Sequence, residues 1–196
     1  MSKITTQFTM SLDGFIAEPN DDVGRLFRWY ASGDTEFQVP GVSRPFRISR
    51  ASADYLSRAW SNFGAIVTGR RDFDVSNAYG GQSPFGVPMF IVTHQPPAEW
   101  LNKESPFTFV TEGVERAVEL ARQAAAGKEV AISGTTIVQQ CLRVGLIDEI
   151  YIDLAPILLG VGIRLFEHLG AEPIDLENIG LIQGTGVTHL RFRVVK

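Results

Sequence analysis

Residues 129–142 read EVAISGTTIVQQCL. The stretch begins as a buried strand and ends as an amphipathic helix, with Ser133-Gly134-Thr135-Thr136 as the hinge between them. A small polar turn at a helix start leaves backbone N–H groups without partners of their own. Free N–H groups and the helix dipole together favour an anion there, a phosphate above all. This strand–turn–helix unit decides the fold class, because similar units flank it on both sides.

Upstream, Ile4, Thr6, Phe8 and Met10 alternate with polar neighbours in a first strand that ends at SLDGF, where Asp13-Gly14 makes a tight turn. A helix starts near Ser49 or Ser52 and carries Tyr55, Leu56, Ala59 and Trp60 on one face. Residues 65–68 (AIVT) form a short buried strand, followed by Gly69-Arg70-Arg71 and a short helix through Phe73 and Val75 that breaks at Gly80-Gly81. Residues 87–93 and 107–110 are two more strands, and Val114, Ala117, Val118, Ala121 and Ala125 recur at helical spacing up to a stop at Gly127. Downstream, GLIDEIYIDLAPILLG (145–160) reads as one long strand, and residues 174–195 hold two alternating runs around Gln183-Gly184-Thr185-Gly186, a β-hairpin. Alternating strands and helices predict an α/β domain with a mostly parallel central sheet and a C-terminal antiparallel hairpin. Residues 18–48 interrupt the pattern with repeated turns (EPNDDVG, ASGD, VPGVSRP) and interleaved aromatics, including Trp29 and Tyr30. This insertion is either a wall or lid of a pocket or a surface elaboration held down by its own aromatics.

At 196 residues, the chain suits one domain with a full core. A net charge of −4 argues against a general nucleic-acid binder. The single cysteine, Cys141, falls on an apolar helix face and reads as a buried, inert thiol. Three scattered histidines without metal spacing predict no metal site. With no apolar run long enough to span a bilayer and no signal-peptide core, the expectation is a cytoplasmic protein with no membrane partner.

In an open α/β sheet, ligands bind beyond the carboxyl ends of the strands. Three such ends carry chemistry suited to one anionic ligand. Thr68-Gly69-Arg70-Arg71 offers a close backbone approach and two guanidinium forks, Thr93-His94 offers short donors and a possible cation, and Ser133-Gly134-Thr135-Thr136 offers the helix start. Each is common alone; together they predict a dinucleotide or phosphorylated ligand. Neither GxxxxGK[ST] nor a strand-linked GxGxxG is present, which excludes a P-loop enzyme and a standard Rossmann dehydrogenase.

TMSLDGFIA (9–17), VTGRRDFD (67–74) and the run AISGTTIVQQCLRVGLIDEIYIDLAPILLGVGIRLFE (131–167) together resemble the dihydrofolate reductase superfamily. More narrowly they resemble its riboflavin-biosynthesis branch, the C-terminal reductase half of the bifunctional deaminase-reductase RibD. The resemblance implies a three-layer α/β/α domain spanning 1–196, NADPH as cofactor, a small heterocyclic or ribosyl-aminopyrimidine substrate, and a homodimer. By position, Thr68, Gly69, Arg70 and Arg71 would meet the cofactor's phosphates, Thr93 and His94 the adenosine 2′-phosphate, and Ser133, Gly134, Thr135, Thr136 and Ile137 the pyrophosphate. The family usually carries Gly-Gly where this chain has Ser133-Gly134. The deaminase motif, HxE with PCxxC, is absent from these residues, so the expected activity is that of the reductase half.

Hydride transfer asks the protein for positioning and charge balance. Asp13, at the end of the first strand, is the first catalytic candidate, and its alternative role is to shape the Asp-Gly turn. Asp54 is the second, on the helix where folate enzymes place a substrate carboxylate; otherwise it is an exposed helix acid. Phe15 and Trp29 are candidates for an aromatic wall of the substrate pocket, or for the small core beneath the insertion. Two other functions fit the same residues: a folate-type reductase, and a non-catalytic NADP-binding regulatory protein.

Overall fold

The computed structural model describes residues 2–39, 44–101 and 104–196. Its strands, in chain order, are β1 (Ile4–Ser11), β2 (Phe15–Ala17), β3 (Thr35–Phe37), β4 (Phe46–Ile48), β5 (Phe63–Gly69), β6 (Met89–Val92), β7 (Phe107–Val110), β8 (Glu129–Ile132), β9 (Glu149–Ala155), β10 (Ile163–Arg164), β11 (Leu176–Gly184) and β12 (Val187–Val194). The helices are α1 (Arg50–Ser61), α2 (Arg70–Val75), α3 (Val114–Ala124) and α4 (Thr135–Arg143).

One eight-stranded sheet runs in the order β11-β12-β9-β1-β8-β5-β6-β7. From β9 to β7 every neighbouring pair is parallel, and β12 and β11 add antiparallel pairings at one edge. Strand β8 inserts between β1 and β5, so the chain reverses its direction of travel across the sheet there and opens a crevice at the carboxyl ends.

Side-chain alternation assigns the layers. Ala65 and Val67 of β5, Phe90 of β6, and Ile150 and Ile152 of β9 pack with Val118 of α3 and Val138 of α4 on one face. On the other face, Ile66, Met89 and Ile91 pack under Phe73 of α2. Tyr55 and Leu56 of α1 pack there too, with Trp29 and Val187. Each such fully buried aliphatic or aromatic side chain contributes about 1.5–3 kcal/mol relative to an exposed one. Helix α1 begins where expected: Ser49 is the N-cap, its hydroxyl accepting the Ser52 N–H at 3.2 Å.

Two expectations needed correction. The long strand read over 145–160 is β9 alone, because Pro156 ends it and the following residues turn back toward β1, with the Leu12 N–H donating to the Ile157 carbonyl at 2.9 Å. The insertion is not merely loop. It holds a short 3-10 helix over Leu26–Ala31 and the β3–β4 hairpin. Its turn at VPGVSRP lies mostly outside the described residues.

Candidate active site

A cavity of about 1030 Å³ opens where the chain reverses at β8. One end is polar and built from strand-end turns. Gly69, Arg70 and Arg71 begin α2, Thr93, His94 and Gln95 follow β6, and Ser133 to Ile137 carry β8 into α4; all of these line the cavity. At the start of α4 the Ile137 and Val138 N–H groups both bond the Gly134 carbonyl, at 3.1 and 3.0 Å. The first two helical N–H groups, those of Thr135 and Thr136, are left to point out of the helix start. Gly134 has φ +77°, and a Cβ there would sit 3.3 Å from Thr68 Oγ1 and 3.4 Å from the Gly69 nitrogen. Only glycine lets the two turns approach so closely without strain.

Asp72 fastens these turns together. Its Oδ2 accepts hydrogen bonds from Thr68 Oγ1 at 2.5 Å, Tyr79 OH at 2.8 Å and Ser133 Oγ at 2.9 Å. Burial, with the Asp72 charge next in importance, pushes the Tyr79 phenol far above its ordinary range, so it stays a donor. Thr68 is fully buried and is not part of the cavity lining; it acts from behind. The Ser133 hydroxyl, in place of a second glycine, ties β8 to α2.

The arginines are less available than their sequence positions suggest. The Arg70 Nε donates to both oxygens of Asp74 at 2.8 Å, and its Nη1 donates to the Gln95 carbonyl at 3.0 Å. The Arg71 Nη2 donates to both oxygens of Asp21 at 3.0 Å, which draws the insertion over the cavity. Asp21, Val23, Phe27 and Tyr30 line the cavity, so the insertion forms a wall of it.

The other end is apolar and aromatic, bounded by Ile16, Phe27, Tyr30, Trp60, Phe63 and Phe85, with Gln7, Thr9 and Asp153 on the sheet beneath. Burial, with the Asp153 charge second, pushes the Tyr30 phenol well above its usual range and keeps it protonated. Thr9, Asp153 and His189 stand side by side in register on one face of β1, β9 and β12.

The two carboxylates and two aromatics expected at the substrate do not line this cavity. Asp13 accepts from Ser11 Oγ at 2.6 Å, from the Leu159 N–H at 3.1 Å and from the Gly160 N–H at 2.7 Å, and so pins the loop after β9. The Ser11 hydroxyl, then the two amides, hold its carboxyl down at about 2. Asp54 pairs with Arg50 at 2.9 Å on the exposed side of α1. Phe15 is buried beneath the Arg164 guanidinium, 4.3 Å from ring centroid to Cζ. Trp29 is buried against Tyr30, with ring centroids 4.0 Å apart. Trp29 supports the wall from behind, and Tyr30 is the face the cavity meets.

Sequence reasoning missed Asp72, Asp153 and His189 as members of the site. A carboxylate and an imidazole at positions that alternate with the outward residues of their strands were the available signal, and both are buried. Among the described residues, no His, Cys, Asp or Glu cluster could hold a metal ion, and no helix is long and apolar enough to cross a membrane. Cys141 is buried, and burial pushes its thiol up to about 12.

A mostly parallel sheet with an antiparallel C-terminal hairpin, helices on both faces and a cleft at the strand reversal define the dihydrofolate reductase-like class. The RibD C-terminal domain model matches residues 2–190, and the chain belongs to that family. Among solved structures, a Shewanella sp. PV-4 protein ascribed to riboflavin biosynthesis is 22% identical, with TM-score 0.74 and 99% of each chain covered. The deaminase/5-amino-6-(5-phosphoribosylamino)uracil reductase of Thermotoga maritima is 10% identical, with TM-score 0.65, over 99% of this chain and 57% of that one. Riboflavin Biosynthesis Reductase Rib7 of Saccharomyces cerevisiae is 11% identical, with TM-score 0.62, over 99% and 90%. Identities this low establish a common fold. No curated protein matches the chain.

Proposed function

We propose that the protein is an NADPH-dependent reductase of a small heterocyclic or ribosyl-aminopyrimidine substrate, working through the reductase half of the RibD chemistry. One observation carries the reading: three strand-end turns suited to phosphate converge on a single cavity whose far end is flat, aromatic and backed by a carboxylate. The polar end fits a dinucleotide. The cradle at Gly134 is one that a Cβ would narrow, and the Thr135 and Thr136 N–H groups stand at a helix N-terminus.

In this reading Ser133 to Ile137 hold the pyrophosphate, Gly69 allows its close approach, and Arg70, Arg71, Thr93 and His94 surround the remaining phosphate. A bound NADPH supplies a hydride. Tyr30, Phe27 and Trp60 exclude water from the apolar end and hold a flat ring, and Asp153 accepts hydrogen bonds from that ring and orients it. Asp13 and Asp54 keep structural parts, in the loop after β9 and on the surface of α1. We also propose a cytoplasmic homodimer, whose interface would cover the exposed Leu12, Leu158 and Val161 on neighbouring turns. Sedimentation at twice the monomer mass tests the dimer.

The test of the activity is a panel of aminopyrimidines, ribosyl-aminopyrimidines and pterins, followed by loss of reduced-nicotinamide absorbance. Oxidation of NADPH by one of the aminopyrimidines supports the reading, and binding of NADPH without oxidation by any member would count against a reductase.

A further inference from the structure

We infer that Ser52, His189 and Gln7 are positioning residues that fix Asp153 as a hydrogen-bond acceptor, so that the apolar end of the cavity selects planar rings presenting N–H donors. The inference rests on the proposal that this end receives the substrate.

The direction of each hydrogen bond can be worked out from its outer end. The Ser49 hydroxyl oxygen is occupied as the α1 N-cap by the Ser52 N–H, at 3.2 Å. Its proton is therefore available to Ser52 Oγ, 2.9 Å away. The Asp153 carboxylate can only accept, so His189 Nδ1 carries the ring proton and donates it to Asp153 Oδ1 at 2.6 Å. Nε2 is then the acceptor, and Ser52 Oγ, 2.8 Å away, gives it the hydroxyl proton.

A second chain reaches the other carboxylate oxygen. The Trp60 indole N–H can only donate, and it donates to Gln7 Oε1 at 3.1 Å. This orients the Gln7 amide, so its NH₂ group faces Asp153 Oδ2 at 3.0 Å. Both carboxylate oxygens thus already receive a donor, and what Asp153 still offers the cavity is acceptor capacity. None of these groups can easily turn. The His189 side chain is 0% exposed and Asp153 3%. The imidazole is stacked on Tyr55 at 4.4 Å and met edge-on by Trp29 at 5.5 Å. Gly184 brings β11 so near that a Cβ there would lie 2.3 Å from Ser52 Oγ, which holds that hydroxyl in place.

A ring that brings only acceptors to this end meets a carboxylate with nothing to donate, and a ring with adjacent N–H donors meets a pre-oriented partner. The arrangement costs nothing to organise when the ligand arrives.

Two measurements on the full chain test it. The first is a long-range proton–nitrogen correlation spectrum of ¹⁵N-labelled protein, in which His189 should show a protonated Nδ1 and a bare Nε2. An Nε2–H tautomer or an imidazolium would overturn the donor order. The second compares benzamidine, a flat cation with two parallel N–H donors, with benzoate, an anion of the same shape with acceptors only, and with phenyltrimethylammonium, a cation without N–H donors. Benzamidine should bind at least about tenfold more tightly than either. Asp153→Asn should abolish that preference, and Ser52→Ala should reduce it several-fold with unchanged far-UV circular dichroism. His189→Gln should do the same; should it unfold the packed core, the Ser52 and Asp153 variants still decide. Equal binding of benzamidine and either other probe, no binding of benzamidine, or a preference untouched by Asp153→Asn would overturn the inference. NADPH binding measured on the same samples separates the outcomes, since its loss with the probe preference intact would count only against the reductase reading.

Discussion

Asp72 shows how much of the site hangs on one side chain. Three hydroxyls, from β5, the turn after β8 and the turn after α2, donate to its Oδ2. Asp72→Ala strands these donors, and we expect a loss of about 1–3 kcal/mol of stability, read from urea midpoints. NADPH affinity should fall as well, because Thr68 and Ser133 lose their common anchor. Asp13 gives a contrasting case. Its folded carboxyl titrates at about 2, below the usual value of 3.8, so its contribution is complete above that usual value and fades as pH drops toward 2. The protection factors of the Leu159 and Gly160 amides against hydrogen exchange should therefore fall over that acid window. Asp13→Asn should lower them at neutral pH while NADPH affinity holds; a large loss of affinity would return Asp13 to the ligand site.

At the level of elements, α2 and the insertion meet the cavity through ion pairs. The Arg70 guanidinium is shared between Asp74 and the Gln95 carbonyl. We expect Asp74→Asn to release it and tighten NADPH by about 1 kcal/mol, roughly fivefold, with little change for NADH. Isothermal titration of both nucleotides checks this, and an equal change for both would show that Arg70 does not face the distinguishing phosphate. Asp21→Ala should release the wall from Arg71 and speed proteolytic cleavage within 18–48. The elements themselves were largely legible. Alternation in β1, helical spacing in α3 and the Ser49 cap all have short-range physical causes that a sequence displays. The pattern over 145–160 runs past the end of β9 because Ile157, Leu158 and Leu159 are apolar without continuing the ladder beyond Pro156. The turns at 68–71, 93–95 and 133–137 were legible as strand ends. Asp153 and His189 were not, because their meaning lies in the β9–β12 register, and a register is set by partners far along the chain. Trp29 and Tyr30 are adjacent in sequence, and only the fold decides which one faces the cavity.

For the whole molecule, the reversal at β8 is what makes one cavity out of separate turns. It places the helix start of α4 beside the β5 and β6 turns and leaves β1 and β9 to floor the far end. The central claim is that this cavity holds a phosphate-bearing dinucleotide across Gly134. The most direct measurement is a titration of the wild-type protein and Gly134→Val with NADPH and NADH, following fluorescence of the tryptophans, of which Trp60 lines the cavity. We expect saturable quenching by NADPH, weaker binding of NADH, and loss of both in the valine variant, whose side chain would crowd Thr68 and strain a backbone at φ +77°. No binding of either nucleotide to the wild type, or binding that Gly134→Val leaves unchanged, would contradict it.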